Sequence, residues 1–310
     1  MLRVHIPITG PAGRGSIKAV DGVSFSIGTG EILALVGESG CGKSTTGRAL
    51  VRLAEPSSGS ILFDGRDITH LSRKRLRSLR GKLQVIFQHP GAALNPRLTI
   101  AQSILEPLDA LGVRRRDGDS RVAALLERVG LAGSDGMRFP HELSGGQLQR
   151  VAIARALIGG PRFIVADEPL SSLDLSVQAQ ILRLLQELQR ELGVALLFIT
   201  HDLAIAEYLS DRVAVMYLGK LVELAPARGF SRTARHPYSR ALLDSVPRLN
   251  PVVERQRQSI VLSGEVPSPL NPPAGCRFST RCPLAEDRCR HEEPPIRKAA
   301  DGHEIACWVV

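Results

Sequence analysis

Gly37-Glu38-Ser39-Gly40-Cys41-Gly42-Lys43-Ser44 fits the pattern G-x-x-x-x-G-K-S/T. Just before it, Ile32-Leu33-Ala34-Leu35-Val36 is an uninterrupted apolar run that reads as a buried strand, and from Ser44 to Leu53 the chain can continue as a helix. A strand, a glycine loop and a helix in that order make a cradle for a triphosphate. The glycines let the backbone turn tightly with its N–H groups aimed inward, and the helix start adds a partial positive charge. Lys43 is then placed to reach the outer phosphates and Ser44 to ligate Mg2+. Gly37, Ser39, Gly40, Cys41 and Gly42 form the wall. Taken alone, the stretch leaves a glycine-rich turn without a ligand as the alternative.

Outward from this loop, composition sets the bounds. The 310 residues leave room for a sizeable core and roughly two domains. Hydrophobic residues make up 43%, in short interrupted runs, none near the roughly 20 residues that span a bilayer. Met1-Leu2-Arg3-Val4-His5 lacks the charged and apolar regions of a secretory signal, so a cytosolic chain is expected. A net charge of +9 favours acidic partners. The densest basic patches are Arg73-Lys74-Arg75 with Arg77, Arg80 and Lys82, and Arg114-Arg115-Arg116. Aromatic residues amount to 4% and do not interleave with these patches, which disfavours binding of single-stranded nucleic acid by stacking.

Along the chain, Val20 to Ile27 alternates as a strand, and Ser60-Ile61-Leu62-Phe63 is another before the turn Asp64-Gly65. From Leu94 to about Ala156 the period becomes helical: Ile100, Ile104 and Leu108 share one face, as do Val122, Leu125, Leu126 and Val129. Strands return at Phe163 to Ala166 and Ala195 to Ile199, separated by a helix over Ser176 to Leu192 with Ile181, Leu184, Leu185, Leu188 and Leu192 as its apolar stripe. That alternation is the mark of a parallel α/β sheet. Val213 to Tyr217 and Lys220 to Leu224 pair as a hairpin across Leu218-Gly219, and after about Arg228 prolines and arginines announce a loop-rich appendix.

The strand Phe163-Ile164-Val165-Ala166 ends in Asp167-Glu168. Asp167 can hold Mg2+ through water, and Glu168 can polarise an attacking water. Leu143-Ser144-Gly145-Gly146-Gln147 precedes the helical stretch Leu148 to Ile158, so Ser144 and two glycines make a helix start bare of bulky side chains, a second anion site in one chain. Gln88 closes an apolar run where its amide can touch Mg2+ or the lytic water, and His201 follows Leu196-Leu197-Phe198-Ile199-Thr200 where an imidazole can meet a γ-phosphate. Singly, a Gln or His at a strand end is an ordinary polar terminus. Their joint order carries the information.

The series of phosphate loop, Gln88, Leu143 to Gln147, Asp167-Glu168, Ser172-Leu173-Asp174 and His201 resembles the ATP-binding subunits of ABC transporters over residues 20 to 225. The resemblance implies an α/β fold: a P-loop NTPase (RecA-like) core with an N-terminal antiparallel β subdomain, an inserted α-helical subdomain at about 94–156, and a small loop-rich C-terminal appendix. The ATPase domain would occupy 1–228 and the appendix 229–310. It further implies that Lys43, Ser44 and Thr45 bind phosphates and Mg2+, and that Gln88 is the Q-loop residue, at Mg2+ or the lytic water. Ser144, Gly145, Gly146 and Gln147 would be the signature motif, Asp167 the Walker B acid, Glu168 the general base, Asp174 the D-loop acid and His201 the switch histidine. Each ATP would be shared between this phosphate loop and the signature helix of a second ATP-binding subunit, identical or not, so that the pair closes on nucleotide and opens after hydrolysis.

Val85-Ile86-Phe87-Gln88-His89-Pro90, Leu94-Asn95-Pro96-Arg97, His236-Pro237-Tyr238-Ser239-Arg240-Ala241-Leu242-Leu243, Gly275-Cys276-Arg277-Phe278 and Arg281-Cys282-Pro283 resemble the subunits that power oligopeptide, dipeptide or nickel importers. This implies two membrane permease subunits, an extracytoplasmic substrate-binding protein as an indirect partner, and a peripheral place on the cytoplasmic face of the cell membrane, with no nucleic acid. Gln88 to Arg97 and the helical subdomain would receive the permease's coupling helix. The alternative is a non-transport ABC ATPase acting on nucleic acid or ribosomes, and an exporter ATPase is a third reading. Members of the non-transport class resemble two cassettes in one chain or carry long coiled coils, whereas here there is one cassette and no sustained heptad. The family's adenine-stacking aromatic is missing from Val4-His5-Ile6-Pro7-Ile8, which leaves His5 as the candidate ring.

Cys276, Cys282, Cys289 and Cys307 follow C-x5-C-x6-C-x17-C. Four clustered thiols in a cytosolic chain suit a metal better than disulfides. The short C-x2-4-C pair usual in zinc sites is absent, and the resemblance to the importers' appendix implies a 4Fe-4S cluster, with zinc and unligated thiols as the alternatives.

Overall fold

The computed structural model describes residues 1–10, 13–112, 116–245, 264–299 and 301–310. The chain opens with an antiparallel hairpin, β1 (Leu2–Gly10) and β2 (Gly13–Val23), in which Leu2 pairs with Val23. The strand expected to reach Ile27 ends at Val23, the residue that pairs with Leu2. β3 (Ile32–Val36) is buried at all five positions, and the phosphate loop follows it into α1 (Lys43–Leu50). Of the expected strand over Ser60 to Phe63 only β4 (Leu62–Phe63) forms, paired with β5 (Arg66–Asp67) across Asp64 and Gly65, both at positive φ. The basic helix α2 (Arg73–Arg77) exposes Arg73, Lys74, Arg75 and Arg77, and precedes β6 (Leu83–Ile86). Of the second basic patch, Arg114 and Arg115 lie outside the described residues.

Among the described residues no strand interrupts α3 (Pro90–Ala93), α4 (Ile100–Leu111), α5 (Arg116–Arg128) and α6 (Gly145–Leu157). α4 starts where Thr99 and Gln102 form a capping box, the side chain of each accepting the other's backbone N–H. Ile100, Ile104 and Leu108 are buried as their spacing requires, as are Val122, Leu126 and Val129, with Leu125 half-buried.

Then come β7 (Phe163–Asp167), α7 (Leu175–Leu192), β8 (Ala195–Thr200), α8 (Leu203–Leu209), β9 (Arg212–Tyr217), β10 (Lys220–Pro226), α9 (Phe230–Thr233) and α10 (Pro237–Ser245). The last strands are β11 (Arg297–Lys298) and β12 (Glu304–Ile305). On α7, Ile181, Leu184, Leu185 and Leu188 are buried, but Leu192 is 43% exposed. It occupies the final turn, where Gly193 at φ 61 caps the helix and turns the chain away.

Two compact units result: Met1–Ser26, Leu33–Ile61 and Thr200–Val310 form the first, Ile27–Ile32 and Leu62–Ile199 the second. In the first, strands run in the order β11, β12, β10, β9, β3, with β3 parallel to β9 and the rest antiparallel. Its core contains Val36, Val213, Val215, Tyr217, Tyr238 and Phe278. In the second, β6, β7 and β8 are parallel and in register from Leu83 and Phe163 to Ala195.

Candidate functional site

The phosphate loop bends through three left-handed positions, Gly37 (φ 152), Gly40 (φ 78) and Gly42 (φ 106). Two are closed to any side chain: a Cβ on Gly37 would stand 2.1 Å from the Met216 carbonyl, and one on Gly42 2.0 Å from that of Ala19. Lys43 is buried, and its ammonium donates to the Gly37 and Glu38 carbonyls at 2.7 and 3.0 Å, inside the curl of the loop. Ser44 and Thr45 follow on the first turn of α1, while Ser39 and Gly40 are exposed at the loop's crest. Cys41 is buried, which pushes its thiol above the ordinary value.

Residues distant in sequence stand behind the loop. Arg281 donates to both carboxylate oxygens of Glu38 at 2.8 and 3.1 Å, and the Glu38 N–H donates to the Tyr238 hydroxyl at 2.8 Å. The Gly219 N–H donates to the Cys41 carbonyl at 2.8 Å. Burial works against the charge of Asp21, but Lys220 and Arg277 outweigh it and hold that carboxyl below its usual range. None of these supports follows from motif reading. Tyr238, Arg277 and Arg281 stand out in the sequence only as parts of the stretches that resemble the importer subunits.

In the second unit, Asp167 is buried at the tip of β7, and Glu168 follows at φ 46, a left-handed conformation that turns its side chain off the strand line. Gln88 Nε2 donates to Glu168 Oε2 at 3.1 Å, bringing together two residues picked separately from the sequence. Ser144 is the N-cap of α6, with its hydroxyl accepting from Gln147 N–H at 3.3 Å and Gln147 Oε1 accepting from Ser144 N–H at 3.0 Å. Ser144 and Gly145 stay exposed, and a Cβ on Gly146 would lie 2.7 Å from Val177, so only glycine lets α6 start this close to α7. Asp174 caps α7, and hydrogen bonds from the Ser176 hydroxyl and the Val177 N–H hold its carboxyl below the ordinary value.

His201 is exposed at the end of β8, just before Asp202 caps α8 through the Ala204 and Ile205 N–H groups. His5 is half-buried with Nε2 3.3 Å from Asp21 Oδ1. The serine hydroxyl, glutamine amide and aspartate carboxylate assigned to Mg2+ are all oxygen donors, the set a hard cation takes alongside phosphate and water.

The four late cysteines are free thiols, Cys289 and Cys307 buried and Cys276 and Cys282 half-buried. Burial pushes Cys276 up to about 11, and the other three thiols add to that shift. The expected metal site is nevertheless not formed as a ligand set: among the described residues no three His, Cys, Asp or Glu side chains converge as they would around a metal ion. The backbone explains part of the spacing otherwise, since the Cys276 N–H donates to the Cys289 carbonyl at 2.8 Å. Cys276 and Cys282 also pack against the core cluster that contains Tyr238 and Phe278.

Residues 20–171 match the ABC transporter family model, and residues 222–289 match that of the oligopeptide/dipeptide transporter C-terminal region. The oligopeptide transport ATP-binding protein AppF of Bacillus subtilis (strain 168) is 51% identical over 94% of this chain and 90% of its own length. The chain belongs to the ABC transporter ATP-binding proteins. A probable peptide ABC transporter ATP-binding protein, y4tS of Sinorhizobium fredii, is 50% identical over 94% of this chain and 83% of its own length. Among solved structures, the ATP-binding cassette MJ0796, a dimer in a post-hydrolysis state bound to ADP and Pi, is 30% identical with a TM-score of 0.65, covering 74% of this chain and 100% of that one. The α/β cassette fold with its antiparallel β subdomain is therefore that of the ABC ATPases. Among the described residues no helix is long and apolar enough to cross a membrane.

Proposed function

We propose that this ABC protein is the ATP-hydrolysing subunit that energises import of peptides, or of another small solute such as nickel, by an ABC transporter. One observation carries the reading furthest: a single chain holds both a glycine phosphate loop with a buried lysine and a separate, exposed, serine-capped helix start. Two chains placed head to tail then supply both halves of each nucleotide site. The relatives' names, all oligopeptide or peptide transport proteins, favour import over action on nucleic acid or ribosomes.

In this reading Lys43, Ser44, Thr45 and the loop N–H groups bind the phosphates, and Asp167 with Ser44 and Gln88 would hold Mg2+. The metal, when bound, supplies neutralisation of the phosphate charge. Glu168, oriented by Gln88, accepts the proton of the attacking water, and His201 meets the γ-phosphate side. Ser144 to Gln147 and Asp174 address the nucleotide of the partner subunit. Two permease subunits and, through them, a substrate-binding protein complete the assembly at the cytoplasmic face of the membrane.

Reconstitution with the permease subunits tests the transport reading. ATPase activity should rise when a loaded substrate-binding protein is added and stay flat with DNA or RNA; stimulation by nucleic acid alone would reject import. A 4Fe-4S cluster on Cys276, Cys282, Cys289 and Cys307 stays a subordinate reading, resting on their spacing and on the backbone bond from Cys276 to Cys289. Anaerobically purified protein absorbing near ~400 nm would uphold it, and colourless protein without iron would remove it.

A further inference from the structure

Every polar group of Glu38, the residue that follows the first glycine of the phosphate loop, is occupied. Its carbonyl accepts from Lys43 Nζ at 3.0 Å, its N–H donates to the Tyr238 hydroxyl at 2.8 Å, and its carboxylate takes both arms of Arg281 at 2.8 and 3.1 Å. Arg281 is only 8% exposed, and Nη1 also reaches the Tyr217 hydroxyl at 3.4 Å. Tyr217, Tyr238 and Phe278 meet edge-on and tilted at centroid distances of 4.7, 5.3 and 5.3 Å, so both hydroxyls that reach Glu38 and Arg281 are held by one aromatic cluster. A second strut joins the loop further on. Arg277 donates to the Leu218 carbonyl and to the Asp21 carboxylate, and the neighbouring Gly219 N–H donates to the Cys41 carbonyl.

From this arrangement we propose that Arg281 is a positioning residue for ATP: acting through Glu38, it sets the curvature of the phosphate loop and the seat of Lys43. A two-armed guanidinium–carboxylate bond fixes both the place and the rotation of Glu38, as a single-armed lysine cannot. The same peptide whose side chain Arg281 holds also presents the carbonyl that seats Lys43. The guanidinium also neutralises a carboxylate that otherwise lies in a loop built for phosphate. The C-terminal segment is thereby a determinant of nucleotide affinity, acting without touching nucleotide.

This inference rests on the reading of Gly37 to Ser44 as the phosphate loop, and the test separates the two. The full chain, assembled with its permease subunits, is assayed for ATP KM and kcat and for binding of a fluorescent ATP analogue. Arg281→Ala should raise KM and analogue Kd about tenfold with kcat within about twofold, since Glu38, itself half-buried, loses the buried guanidinium that fixes it. Arg281→Lys should recover less than half of the loss. The double variant Arg281→Ala/Glu38→Ala should bind no more weakly than the worse single variant, because both remove one interaction. Unchanged KM and Kd in Arg281→Ala, or effects that multiply in the double variant, overturn the proposal. Should Arg281→Ala not fold, Glu38→Gln gives the same readout with a smaller rise of about threefold, and no rise overturns it. Lys43→Ala is the separate arm: if it too leaves analogue binding intact, the phosphate-loop reading has failed, whereas loss there with none in Arg281→Ala removes the positioning role alone.

Discussion

Gln88 Nε2 and Glu168 Oε2 lie 3.1 Å apart in a hydrogen bond that links the end of one strand to the end of the next, and Glu168 holds its place at φ 46. Because Glu168 is the proposed base, Glu168→Gln should lower steady-state ATP hydrolysis at least about 100-fold while leaving nucleotide binding intact. Gel filtration with ATP should then show an accumulated dimer. Turnover at the natural rate in this variant would remove Glu168 from the role.

The loop glycines separate by the space around them. Gly42→Ala drives a Cβ to 2.0 Å from the Ala19 carbonyl at φ 106, and should cost roughly 3 kcal/mol or more together with nucleotide binding. Gly40→Ala meets nothing within 4 Å and pays only the left-handed conformation, about 1 kcal/mol. Thermal melts with and without ATP read both; equal losses in the two variants would contradict the packing around Gly42.

Ser144 is expected to do two things, and they can be pulled apart. Ser144→Ala should destabilise α6 by about 1 kcal/mol and Ser144→Asp should not, because aspartate caps equally well. Hydrolysis should fall in both, since aspartate sets a negative charge against phosphate. Full activity in Ser144→Asp would make this residue a cap and nothing more.

What the sequence could reveal followed distance along the chain. The phosphate loop, the Ser144 cap and the paired acids are contiguous words, each complete within a few residues, and their spacing dictates local backbone. The Arg281 and Tyr238 supports of Glu38 were illegible because nothing in a one-dimensional pattern pairs a carboxylate at 38 with a guanidinium at 281. The stretches around Tyr238 and Arg281 stood out only through family likeness. Leu192 fitted the helical stripe of α7 and yet is exposed, because periodicity does not know where a helix stops covering its neighbours. The cysteine spacing announced proximity correctly but not a ligand set, since spacing fixes neither side-chain direction nor distance.

His236 offers a pH prediction. It is 1% exposed, the Tyr238 N–H donates to its Nδ1 at 3.1 Å, and burial lowers its pKa from 6.5 to about 4. With the folded value depressed, the unfolded chain binds the proton first. Stability present above pH 6.5 is therefore lost as pH falls toward 4, by roughly 3 kcal/mol if His236 acts alone. His236→Gln should flatten the Tm-against-pH slope across that window; an unchanged slope would place its origin elsewhere.

Docking to the permease is expected on the stretch after Gln88, but not on all of it. Leu94 is buried at 4% exposure, whereas Asn95, Pro96 and Arg97 are exposed. Asn95→Ala/Arg97→Glu should abolish co-purification with the permease subunits while ATP binding persists. Retained co-purification would move the contact to another surface.

The bond from Glu38 to Arg281 spans 243 positions and that to Tyr238 spans 200. During synthesis at about 5–20 residues per second, the strand and glycine turn leave the ribosome well before either support exists. The loop is therefore made long before the two residues that hold Glu38. A chain interrupted before Tyr238 carries the whole phosphate-binding motif with neither Tyr238 nor Arg281 behind Glu38.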